Sequence, residues 1–399
     1  MDKQLKPQLR FPEFTSSWEK KYIKSIANVV GGGTPSTTND EYWNGEINWF
    51  TPTEIKFNVV SESNRKITEL GLNNSSATIL PKGTILLTTR ATIGEVAIAQ
   101  EECTTNQGFQ SLIVNKSNSN QFVFDLIKVY RNELYKRANG STFKEISKKE
   151  IEKIKVLIPQ LPEQQKIASF LTDVDDKITK LTKKKDLLEQ YKKGIMQKIF
   201  NQELRFKDDN GNEFPKWEEK KLGSICNYKN GGSFEQYVSN EGVYNLISLN
   251  SLDINGKLKP SHKKVTINDN SLDKGDLVMV LSDVAHGYFL GLTDIVPDNT
   301  FVLNQRMGAL KPKININSYF LKTYINFNQK YFKLMGQGSS QQNLSKGDIL
   351  KFTVKTPIIE EQIKIANFLS DIDIKIEVLN TKIENSKAFK KGLLQQMFV

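Results

Sequence analysis

Short stretches rich in Gly, Asn, Gln, Ser, Thr and Arg are where this chain could do chemistry. In the first half they are residues 31–36 with Gly32 and Thr34, residues 88–90 (Thr88, Thr89 and Arg90), residues 106–110 with Asn106, Gln107 and Gln110, and residues 139–144 with Ser141 and Lys144. In the second half they are residues 230–233, residues 282–286 with Ser282 and His286, residues 304–307 with Asn304, Gln305 and Arg306, and residues 336–343 with Gln337, Ser339 and Gln341. These side chains offer hydrogen bonds of fixed geometry. Arg can grip guanine with two parallel donors, Asn or Gln can grip adenine, and Thr can bond a phosphate or touch a thymine methyl. The same residue types also build ordinary turns and helix caps, so composition decides no single position. Recurrence in both halves marks the regions as candidate DNA-reading loops.

Signatures of catalysis on DNA are missing. There is no Gly-x-x-x-x-Gly-Lys-Ser/Thr phosphate loop, which argues against an ATP-driven motor. Nor is there an Asn-Pro-Pro-Tyr/Phe or Asp-Pro-Pro-Tyr string of the kind found in amino-methylating enzymes. His262 and His286 are the only histidines and Cys103 and Cys226 the only cysteines, which supports neither duplicated His-based catalysis nor a cysteine-rich zinc site. Asp and Glu are plentiful but scattered, the usual state of a surface. The chain is expected to be no enzyme and to hold no metal or cofactor. Lys plus Arg number 56 against 45 Asp plus Glu, and the net charge of +11 favours a polyanionic partner. Residues 1–11 carry charges throughout, and apolar runs such as 277–281 are far too short to cross a bilayer. A cytoplasmic location without membrane contact is expected.

The elements that must position these loops are written twice. At a shift of 198, Glu163, Gln164, Ile167, Ala168, Phe170 and Leu171 meet Glu361, Gln362, Ile365, Ala366, Phe368 and Leu369. The match continues through Lys192, Lys193 and Gly194 against Lys390, Lys391 and Gly392, almost to the last residue. Upstream the shift wanders, as it does between loops of unequal length: Trp18 answers to Trp217, Gly83 to Gly275, and Asn106 with Gln107 to Asn304 with Gln305. Leu9, Arg10 and Phe11 recur as Leu204, Arg205 and Phe206. The first residues thus look like a linker whose preceding helix is the chain's last one, a circular layout with its termini close together.

Each repeated tail reads as a long helix. Apolar residues at Ile167, Leu171, Val174, Ile178, Leu181 and, after one interruption at Lys185, Leu188, and at Ile365, Leu369, Ile372, Ile376, Leu379 and Ile383, follow the four-and-three steps of a coiled-coil seam. One such stripe would suit packing on its own domain, but two matching stripes are natural antiparallel partners. The first tail, from Glu163 to Phe200, would span roughly 57 Å at 1.5 Å per residue. Lys192 and Lys193 read as a solvated face. The globular halves mix strands, such as Ile85 with Leu87 and Leu277 with Met279, with helical periodicity over residues 122–136 and 319–332. Ser147 with Glu150 and Ser345 with Asp348 have the spacing of helix caps. The fold class is therefore α+β: two pseudo-repeats, each a mixed α/β domain followed by a long helix, the helices pairing as an antiparallel coiled coil. The expected boundaries are a linker-like segment 1–21, domains 22–158 and 222–356, helices 159–200 and 357–399, and a linker 201–221.

Taken together, the duplicated Pro-x-x-x-Glu-Gln-x-x-Ile-Ala-x-Phe-Leu segments, the Lys-Lys-Gly segments and the Leu-Arg-Phe linkers make the whole chain resemble the specificity subunit of type I restriction-modification enzymes. The resemblance implies two target recognition domains, each reading half of an interrupted double-stranded DNA site, with the paired helices as a ruler. It implies two methyltransferase subunits on the helices and two motor-nuclease subunits, with S-adenosylmethionine, ATP and Mg confined to those partners. It does not carry over base contacts, because the recognition domains diverge. Without the resemblance, the alternative is a coiled-coil adaptor bridging protein partners, its basic charge incidental.

Overall fold

The computed structural model describes residues 6–56, 58–140, 144–284 and 287–399. Contacts divide the chain into two compact units, Met1–Thr182 with Thr381–Val399, and Lys183–Asn380. Each unit therefore combines one globular half, the start of the long helix that follows it, and the end of the other long helix. These helices run Leu161–Phe200 and Ile359–Met397, within a few residues of the repeated tails. Among the described residues no helix is long and apolar enough to cross a membrane.

In the first unit a five-stranded sheet has the order Ala27–Gly31, Gln110–Val114, Ile85–Leu87, Val96–Ala99, Val59–Val60. A three-stranded sheet beside it has the order Arg65–Ile67, Trp43–Phe50, Thr104–Thr105. The second unit repeats the plan. A four-stranded sheet runs Cys226–Asn230, Met307–Pro312, Leu277–Val280, Thr293–Ile295, and a three-stranded one runs Lys263–Val265, Tyr244–Ile247, Phe301–Leu303. The caps form as their spacing predicts: Ser147 accepts from the Glu150 amide and Ser345 from the Asp348 amide. The helical stretches 122–136 and 319–332 each break once, into Asn120–Val129 with Arg131–Arg137 and into Ser318–Phe327 with Gln329–Met335. Tyr130 and Asn328, with φ of −83° and −97°, make these corners while the apolar stripe runs on across them, which is why periodicity alone reads one helix.

Both readings of the helix stripe hold within each unit. In the first, Ile167, Leu171 and Val174 at the start of one helix join a core with Leu393, Met397 and Phe398 at the end of the other, and with Trp18 and Phe122 of the globular half. Phe398 stacks on Phe122 with ring centroids 5.1 Å apart. In the second, Ile365, Leu369 and Ile372 pack with Ile199 and Phe200 and with Phe320 and Phe332. Start against end is the antiparallel sense. Towards the helix middles Ile178, Leu181 and Ile376 are half-buried, while Leu379 is buried.

The repeated polar residues close each unit. Arg10 donates to both carboxylate oxygens of Glu163, at 2.7 Å each, and the Trp18 indole N–H donates to the same carboxylate at 3.2 Å. Arg205 holds Glu361 at 2.6 and 3.1 Å, with the Trp217 indole at 3.1 Å. Gln164 donates to the Pro159 carbonyl and accepts from the Ser119 amide; Gln362 does the same with Pro357 and Asn317. The Leu9 amide donates to the Gln396 carbonyl, 2.9 Å, so the start of the described chain lies on the end of the last helix, as the circular reading expects. Phe11 meets Phe170, and Phe206 meets Phe368, edge to face.

The first lysine of each Lys-Lys-Gly segment is not a solvated residue. Lys192 pairs with Asp373 at 2.5 Å, and Lys390 pairs with Asp175 at 2.6 Å, each across the two helices. Lys390 also lies 3.7 Å from the fully buried Asp125. Burial pushes the Asp125 carboxyl up against the opposing pull of Lys390 and Lys128, and burial together with Lys390 holds the Lys128 ammonium down to about 8. Cys103 and Cys226 are buried, and their thiols are pushed up to about 12 by that burial, so neither is a nucleophile at neutral pH.

Candidate nucleic-acid interface

In the first unit the four polar stretches meet. The Gly33 amide donates to the Thr105 carbonyl at 2.8 Å, and the Thr34 hydroxyl bonds the Gln107 side chain. The Thr89 amide and hydroxyl both donate to the Gly108 carbonyl, at 2.8 and 3.0 Å, and the Asn106 side chain accepts from the Gly108 amide at 2.8 Å. Arg90 then pairs with Glu145 at 2.9 Å, and Glu145 exchanges backbone hydrogen bonds with Asn139. Gly32 is required by close approach: a Cβ there would lie 2.1 Å from the Asn106 carbonyl oxygen.

The second unit makes the same links with different side chains. The Leu281 amide donates to the Arg306 carbonyl where Thr89 donates to Gly108, and the Leu344 amide donates to Leu281 where Ile146 donates to Thr89. Ser282 thus stands at the place of Arg90, and its hydroxyl bonds Asn343, which stands at the place of Glu145. An ion pair in one unit is a neutral hydrogen bond in the other. A Cβ at Gly231 would lie 1.9 Å from the Asn304 carbonyl oxygen, as at Gly32. The Asn304 side chain is buried, accepting from the Phe234 amide and donating to Glu235 at 3.1 Å each. Gly231→Ala should push the two loops apart, lowering stability by about 1–3 kcal/mol; the urea midpoint and the affinity for duplex DNA, measured on the same samples, should both fall.

The sequence-selected residues divide into two groups. Thr88, Thr89, Asn304 and Ser282 are buried and tie the loops together, and half-buried Asn106 does the same through its side chain. Gln107, Arg90, Lys144, Gln305, Arg306, Gln337 and Ser339 are exposed, while Gly32, Thr34, Gln110 and Gln341 are half-buried. The Gln110 side-chain oxygen is buried without a partner among the described residues. Ser141 and His286 lie outside the described residues. Sequence reasoning missed Arg65, whose guanidinium lies 3.6 Å over the Trp43 ring. It also missed the platform below residues 33–36, where the Trp49 and Trp43 indoles donate to the Gly33 and Ser36 carbonyls. Two tryptophans six residues apart on one strand were the available signal. In the second unit, Glu235, Asn250, His262 and Lys263 line a cavity of about 340 Å³ with Asn304, Gln305 and Arg306.

Comparison with known proteins places this architecture. A family model described as the type I restriction modification DNA specificity domain matches twice, over residues 15–190 and 215–386. The MjaIX type I restriction enzyme specificity subunit of Methanocaldococcus jannaschii is 38% identical over 232 residues, covering 55% of this chain and 54% of that protein, so this match spans about half its length. The MjaVIII specificity subunit of the same organism is 24% identical over 404 residues, 97% of this chain and 92% of that one. The crystal structure of a type I restriction-modification S subunit from M. genitalium shares the fold, with a TM-score of 0.62 at 16% identity and 99% of both chains covered. With two copies of the domain spanning most of its length, the chain belongs to the type I restriction-modification specificity-subunit family.

Proposed function

We propose that this chain is the DNA-reading subunit of a type I restriction-modification enzyme and is itself non-catalytic. Each unit reads one half of an interrupted duplex site through its four convergent loops, with domains 22–158 and 222–356 carrying the reading and the paired helices 159–200 and 357–399 setting the spacing. Adenine methylation and cleavage belong to two methyltransferase and two motor-nuclease partners, which bring the S-adenosylmethionine, ATP and Mg. The observation that carries the reading is that both units join the same loops by the same backbone hydrogen bonds while differing in the side chains those positions carry: exposed Arg90 stands where the second unit has buried Ser282, and exposed Arg306 where the first has buried Gly108. A fixed frame with variable tips is what reading two different half-sites requires. The net charge of +11 supplies phosphate attraction that carries no sequence information. Titrating the full chain with duplex DNA at several salt concentrations tests it: affinity should fall steeply and linearly in log–log form as salt rises. Salt-independent or absent binding would favour a coiled-coil adaptor instead.

A further inference from the structure

The two units differ most sharply at one position of the shared frame. The chain has seven arginines. Five close on a carboxylate, and Arg65 lies over Trp43. Arg306 is exposed and, among the described residues, carries neither an ion pair nor a side-chain hydrogen bond. The nearby Glu235 cannot neutralise it without giving up present partners, since it holds Lys263 at 3.0 Å and Asn304 at 3.1 Å.

The backbone at Arg306 points the same way. It has φ +70°, a left-handed conformation disfavoured for any residue with a Cβ; Gly108, its counterpart in the first unit, does not have a positive φ. The turn is fixed from both sides: the Met307 amide donates to Asn304, and the Arg306 carbonyl accepts from Leu281 at 2.9 Å. A strained arginine held on a rigid turn, at the rim of the cavity with Gln305 and His262, has no structural role that glycine would not fill better.

We infer that Arg306 is the specificity-determining side chain of the second unit and that it selects a guanine in that unit's half of the DNA site; this rests on the DNA-reading function proposed above. A free guanidinium offers two parallel donors, which match the O6 and N7 acceptors of guanine in the major groove. Adenine presents a donor in place of O6 and is rejected. Ser282 and Gly108 mark the exchange of arginine between frame positions, so the first unit lacks this contact.

The test uses the complex purified from its own cells through a tag on this chain, with enrichment from a random duplex library at one fixed salt concentration. The unaltered complex should require guanine at one position of one half-site. Arg306→Gly suits the left-handed turn and should fold with an unchanged or higher unfolding midpoint. It should lose the guanine preference by roughly 10- to 100-fold while the other half-site stays as it was. Arg306→Lys keeps the charge but not the paired donors, and should retain affinity better than discrimination. An unchanged motif in Arg306→Gly, with affinity either kept or lowered equally on every sequence, overturns the assignment; the second pattern makes Arg306 a phosphate contact. If the unaltered complex enriches no sequence, the DNA-reading function itself falls.

Discussion

Glu361→Ala is expected to destabilise the protein by about 3–5 kcal/mol, among the largest effects of any single substitution outside the apolar core. Glu361 is fully buried and holds three donors, two from Arg205 and one from the Trp217 indole. Removing it leaves a guanidinium and an indole N–H facing a site from which water is largely excluded. Arg205 keeps about a quarter of its side chain exposed, which places the effect towards the lower end of that range. Glu361→Gln keeps hydrogen bonding but not charge and should fall between. Replacing Glu361 and Arg205 together by Met should be milder than Glu361→Ala alone, because no charge is left unpaired. Urea unfolding followed by tryptophan fluorescence measures all three together with Glu361→Met and Arg205→Met alone, and additive losses in the double variant would mean that the two residues do not act as a pair.

The second large effect is on spacing. Lys192 lies seventeen residues after Asp175 on the first long helix, and Lys390 seventeen after Asp373 on the second. Each lysine pairs with the aspartate of the other helix. Four residues inserted after Lys180 and four after Val378 add close to one turn, roughly 6 Å, to both helices and leave the apolar stripe nearly in phase. With duplex DNA rising about 3.4 Å per base pair, the gap between half-sites should grow by about one to two pairs while the half-sites themselves stay unchanged. An insertion in one helix only puts the lysine–aspartate pairs out of step and should sharply reduce folded protein. An active matched variant with the original gap would show that the helices do not set the spacing.

How much of this was legible in the sequence follows the range of the interactions. The duplication shows as a direct repeat, and the long helices and the caps at Ser147 and Ser345 depend on neighbours a few residues away, so the pattern states them directly. Recurrence in both halves marked the polar stretches as candidates, but that they meet in space was not legible. Pairings across the chain were not legible: Arg10 with Glu163, Arg205 with Glu361 and Lys390 with Asp175 join residues far apart in sequence, and nothing local marks a lysine as paired rather than solvated. Within the loops, residue type could not separate Thr89, whose hydroxyl is spent on Gly108, from Arg306, whose guanidinium has no partner among the described residues. That distinction belongs to burial.

The central claim is that this chain chooses the DNA sequence on which its partners act. Sequencing modified bases across the genome of its own cells, with the gene intact and with it deleted, tests this most directly. The account predicts one interrupted two-part motif, methylated on adenine, that is present in the first cells and absent from the second. Identical methylation in the two would contradict it.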